Sequence, residues 1–148
     1  LDKIILTTNI KKLGKIGDLV TVKDGFARNF LFPNKMALRE NKKNLDYYEK
    51  IKDEMHKNEE TKKSDAENIL SKLSKLKIIF KKEADEKNQL YGSISKKEIL
   101  DFLINNQIKI KSDDLLIKEP IKSIGDHEIE INPYMDVKKQ FKVIVQKN

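Results

Sequence analysis

The chain has 148 residues, with 31 Lys and Arg against 24 Asp and Glu, a formal charge of +7, and neither Cys nor Trp. Hydrophobic residues make up 38% and charged residues 37%, too lean for one large core, so two small cores or an extended shape are expected. The lack of cysteine excludes a disulfide framework, a thiol nucleophile and a cysteine metal site. No run approaches the ~20 apolar residues of a membrane span, and Leu1 to Leu6 lacks the basic-then-apolar layout of a signal peptide. The expected compartment is therefore the cytosol or an organelle interior. The basic excess points to a polyanionic partner, usually nucleic acid.

Residues 1–41 carry 8 basic and 4 acidic residues, net +4, and both arginines of the chain, Arg28 and Arg39. Lys3-Ile4-Ile5-Leu6 reads as a strand. The segment Gly14-Lys15-Ile16-Gly17, preceded by Lys11 and Lys12, reads as a loop or hairpin turn. Leu19 to Lys23 alternates as a second strand, ended by an Asp24-Gly25 turn. Phe26, Phe30 and Leu31 then have helical spacing, with Asp24 as N-cap, and Pro33 closes the segment. One of the two phenylalanines is expected in the core; Phe30 is favoured inside and Phe26 near the surface. Residues 35–40 give a third short strand. The first unit is thus a small α+β domain, residues 1–41.

Residues 42–76 contain neither Pro nor Gly and read as one helix of about 35 residues, roughly 50 Å long, capped by Asn41. Leu45, Tyr48, Ile51 and Met55 form one apolar stripe, and Ala66, Ile69, Leu70, Leu73 and Leu76 form another. His56 to Asp65 has no apolar residue, so the ends are expected to dock while the middle stands in water. The same gap breaks any heptad seam, which argues against a dimeric coiled coil.

Strand signals return in residues 77–148. Lys77 to Phe80 and Leu90 to Ser95 are two strands. Ser95 with Glu98 matches a capping box opening an amphipathic helix that carries Ile99, Leu100, Phe102 and Leu103. A short apolar run, a Gly125-Asp126 turn, an alternating strand from His127 to Ile131 and a further strand over residues 140–146 complete a second α+β unit. The predicted fold class is α+β: two small domains joined by a long exposed helix, a dumbbell.

Gly14-Lys15-Ile16-Gly17, Val22, Gly25-Phe26, Asn29-Phe30-Leu31, Pro33, Ala37 and Asn41, at these spacings, resemble the signature of the family of bacterial ribosomal protein nine of the large subunit. The long helix, residues 90–95, residues 119–125 and the final strand extend the resemblance over the whole chain. The family usually has Gly at the position of Lys35, where Asn34 is here expected to take the turn conformation, and often His-Pro where this chain has Asn132-Pro133. The resemblance implies a dumbbell whose N-terminal domain binds large-subunit ribosomal RNA and whose C-terminal domain is held outward, in support of translational fidelity and reading-frame maintenance. It further implies a monomer among neighbouring ribosomal proteins, in a cytoplasmic or organellar ribosome.

For RNA binding the candidates are Lys11, Lys12, Gly14, Lys15, Gly17, Lys23, Gly25, Phe26, Arg28, Asn29, Lys35 and Arg39. Glycines let backbone N–H groups approach phosphates. Lysines neutralise phosphates, the arginines offer planar forks, and aromatics stack on bases. An enzyme is not expected: there are two distant histidines, no nucleophile elbow and no Gly-Lys-Ser/Thr phosphate loop. No cofactor, metal, membrane or small-molecule substrate is expected. His127 lies beside Asp126 and Glu128, but strand neighbours point to opposite faces. The alternative is a general RNA-binding module outside the ribosome, in which residues 14–17 act as the GXXG clamp of a KH domain.

Overall fold

The computed structural model describes residues 1–148 and divides into two compact units, residues 1–64 and 65–148. The fold is α+β, with a long helix running between an N-terminal and a C-terminal domain.

In the first unit, strands β1 (Asp2–Leu6), β2 (Leu19–Val22) and β3 (Ala37–Arg39) form an antiparallel sheet in the order β2-β1-β3. Strand alternation sends Ile4 and Leu6 to one face. There they join Val22, Ala27, Leu31 and Ala37 in a small core. The segment after β2 differs from the sequence expectation. Asp24 and Gly25 are not a turn but the first residues of helix α1 (Asp24–Phe26), whose N-cap is Lys23, with no side-chain cap. It continues as a π-helical turn, Ala27–Leu31, in which the Phe32 N–H reaches the Ala27 carbonyl at 2.9 Å.

Residues 14–17 lie between β1 and β2 of one sheet. A KH clamp joins two helices, so that alternative has no structural footing here.

Helix α2 (Lys42–Ser74) starts where Asn41 caps it, the Asn44 N–H donating to Asn41 Oδ1 at 2.8 Å. Of its first stripe, Met55 is buried, Tyr48 and Ile51 are half-buried, and Leu45 stays exposed. The stretch from His56 to Asp65 is exposed with one exception. Glu59 is 6% exposed, and its carboxylate accepts from the Thr8 hydroxyl and, at 3.1 Å, from Lys62 Nζ. Periodicity missed this docking because it uses hydrogen bonds instead of apolar contact.

In the second unit, Leu73 enters the core, with Ile69, Leu70 and Leu76 packed against it. Four strands, β4 (Ile78–Lys82), β6 (Leu115–Ile117), β8 (Gly125–Tyr134) and β9 (Val137–Lys147), form a sheet in the order β4-β9-β8-β6. Strands β5 (Gln89–Ile94) and β7 (Ile121–Ser123) form a separate antiparallel pair. Gly125 and Asp126 open β8 instead of making a turn, because Gly125 pairs with Val145 and Asp126 with Ile144 across the hairpin. Helix α3 (Lys96–Asn105) has the expected capping box and buries Ile99 and Leu103.

Candidate nucleic-acid interface

The basic and aromatic candidates of the first unit fall into three groups. At one end of the sheet, β1 leads into the loop 7–18. Ile10 and Gly14 are bridged, and Lys12 sits at the turn in a left-handed conformation, φ 66°. Lys12 and Lys15 are exposed and Lys11 is half-buried. Lys35 belongs to the same end, since its carbonyl accepts from the Thr7 hydroxyl at 2.8 Å.

The glycines of this loop serve shape. The Gly14 N–H donates to the Ile10 carbonyl and the Gly17 N–H to the Leu6 carbonyl. The Lys15 N–H donates to Asp18 Oδ2 and the Ile16 N–H to Asn9 Oδ1. All four amides are therefore occupied within the protein and are not free for the phosphate cradle expected of this loop. Gly17 has φ +84°, and a Cβ there would stand 2.9 Å from Cζ of Tyr48. Gly14 is similarly crowded, by Asp18 Oδ2 at 2.9 Å and Leu6 Cδ1 at 3.1 Å.

The second group lies on α1 and its π turn. Ala27 and Leu31 are fully buried, whereas Phe26 and Phe30 are 43% and 44% exposed. The expected assignment of Phe30 to the core is thus corrected. Residues 27 and 31 share the face turned to the sheet, and the phenylalanines lie one position back, on the rim. Their rings stack on each other, centroids 5.4 Å apart and planes 20° from parallel. Arg28 and Asn29 beside them are exposed, and the Arg28 side chain makes no hydrogen bond or ion pair within the chain. Gly25 is also exposed. Its backbone is not left-handed, and a Cβ on it would meet only Asn29 Nδ2, at 4.0 Å.

The third group is at the opposite end of the sheet from the loop. Lys23 follows Val22, which pairs with Asp2, and Arg39 pairs with Ile4. Arg39 lies 5.7 Å from the centroid of the Phe32 ring and 3.9 Å from Asp2 Oδ2. It is partly committed within the fold. Among the aromatic candidates, Phe30 is the one that sequence reasoning placed wrongly. The usable signal was Ala27: a small residue four positions before Leu31 marks the tightly packed face.

A sequence model described as the N-terminal domain of ribosomal protein L9 matches residues 3–48, and one described as its C-terminal domain matches residues 64–147. The chain is 39% identical to the large ribosomal subunit protein bL9 of Rhodospirillum rubrum over 135 residues, which is 91% of this chain and 70% of that protein. It is 36% identical to the bL9 of Thermodesulfovibrio yellowstonii over 143 residues, 97% of each chain. The bL9 of Trichlorobacter lovleyi is 34% identical over the same shares. Matches to both domains, and to relatives over 70% to 97% of their length, place this chain in the ribosomal protein L9 family.

Proposed function

We propose that the chain is a structural constituent of the large ribosomal subunit that holds ribosomal RNA through residues 1–41. Residues 42–76 serve as the connecting helix, and residues 77–148 as a C-terminal domain that supports translational fidelity. It acts in the cytoplasmic ribosome as a single copy among neighbouring ribosomal proteins, without enzymatic activity of its own.

The observation that supports this reading is the exposed Phe26–Phe30 stack beside the unpaired Arg28. A stacked pair of rings at the surface offers a platform for unstacked RNA bases, worth about 1–3 kcal/mol per base by alanine substitution. Gly25 agrees with it. Its backbone is not left-handed and so does not require glycine, and a Cβ there would meet only Asn29 Nδ2, at 4.0 Å. A bare backbone at that point suits close approach by a ligand.

The test is a salt titration of the full chain against large-subunit ribosomal RNA. Arg28→Ala is expected to weaken binding about tenfold and flatten the salt slope by about one phosphate, with the melting temperature unchanged. Phe26→Ala should weaken binding by about 1–3 kcal/mol. Unaltered affinity in both variants overturns the assignment of this surface.

A further inference from the structure

Strand β9 is longer than the strand beside it. It runs from Val137 to Lys147, but β4 pairs with it only from Val143 to Lys147. Residues 139–142 pair with β8 on one side, Lys139 with Ile131 through Lys142 with Glu128. On the other side no backbone bond fills the line that β4 leaves open. A groove of about 320 Å³ lies along this open edge. Leu73 at the end of α2 and Leu76 in the connection to β4, with Ile78, Phe141 and Ile144, give it an apolar floor. Lys77, Lys139 and Lys142 rim it, and none of the three is ion-paired; Lys139 Nζ donates to the Ser74 hydroxyl at 3.0 Å.

We infer that this edge is a docking site for an extended acidic–apolar peptide segment of another protein, added as a strand to β9 in line with β4. A free row of N–H and C=O groups is what strand addition requires. Five residues of edge span about 16 Å, enough for one short strand. On such a strand, alternate side chains face the groove floor beside Phe141 and Leu73, and the others face Lys142. The three lysines select the charge: carboxylates are attracted, and a basic strand, including a second copy of β9 with its own lysines, is repelled. No exposed aromatic lines the groove, so base stacking has no platform here and a peptide fits better than a nucleic acid.

The experiment uses the full chain and a fluorescent octapeptide of alternating Val and Glu. Controls are the Val–Lys octapeptide, a Val–Glu octapeptide N-methylated at alternate backbone nitrogens, and a uridine oligonucleotide. The expected result is saturable binding of the Val–Glu peptide alone, with slowed amide exchange within residues 138–142. The double variant Lys139→Glu, Lys142→Glu, both on exposed side chains, should lose about tenfold in affinity. Equal binding of the N-methylated peptide would show charge attraction without strand pairing and overturn the proposal. Displacement of the peptide by the oligonucleotide would assign the lysines to nucleic acid and overturn it as well, as would the absence of saturable binding.

Discussion

Lys35 carries the clearest local conflict in the N-terminal domain. It sits at φ 57°, a conformation that costs a residue with a Cβ about 1–2 kcal/mol. Asn34 was the expected bearer of that turn, but it is not left-handed, and its side chain donates to the Phe30 carbonyl at 2.8 Å. The need for a left-handed residue after Pro33 was legible in the sequence. Which residue bears it was not, because the choice is made by a distant partner. The Thr7 N–H donates to the Met36 carbonyl, and the Thr7 hydroxyl to that of Lys35; together they fix the exit from the turn. Lys35→Gly is therefore expected to raise stability by about 1 kcal/mol in urea denaturation of the full chain. Asn34→Gly should lower it instead, since it adds chain entropy and removes a hydrogen bond without relieving strain. Phe30 teaches the same point from the other side. Its apolar bulk suggested burial, yet packing against the sheet is decided by the tight Ala27–Leu31 face.

Among the elements, α3 was the most legible. The Ser-x-x-Glu cue is local, and both of its bonds form: the Glu98 N–H donates to Ser95 Oγ at 3.2 Å, and the Ser95 N–H to Glu98 Oε2 at 3.1 Å. Ser95→Ala is expected to cost about 1 kcal/mol, read from thermal melts. Lys82 adds a long-range partner at 2.9 Å. Its hydrogen bond holds the Glu98 carboxyl below the usual carboxylate range, with the Ser95 amide assisting against partial burial. The folded value is depressed, so this stabilisation is fully present above about pH 5 and fades as pH falls through the usual carboxylate range toward the depressed value. Glu98→Gln should lose about 0.5 kcal/mol at neutral pH, because both partners of the pair are partly open to solvent, which screens it. Its acid limb should also be flatter than that of the parent. Elements fixed by distant pairing were less legible. Gly125-Asp126 carries a turn cue, but eight residue pairs along β8 and β9, Gly125 with Val145 at one end, draw it into a strand. The π-helical turn at Ala27–Leu31 has no compositional mark at all.

At the scale of the molecule, the lean composition and the long Pro- and Gly-free stretch pointed to two small hydrophobic clusters, and the two that form share no residue. Leu103→Ala should cost about 2–5 kcal/mol and remove amide-exchange protection within residues 65–148, leaving residues 1–64 protected. Leu31→Ala should do the reverse. Loss of protection across both units from either variant would show that they unfold as one. The part of this organisation hidden from the sequence is polar. Glu59 docks through Thr8 and Lys62, whose Nζ donates to the Thr8 hydroxyl at 2.9 Å. No hydrophobic pattern announces a carboxylate buried by hydrogen bonds. The sheet order β4-β9-β8-β6 also sets a timetable for synthesis. Its interior strand β9 comes after every other strand of that sheet, and β4 has no other neighbour. A nascent chain growing at about 5–20 residues per second completes the three-stranded N-terminal sheet long before β9 leaves the exit tunnel. Until then β4 waits unpaired, so a pause in translation between β4 and β9 prolongs the interval in which this domain is open to aggregation or to a chaperone.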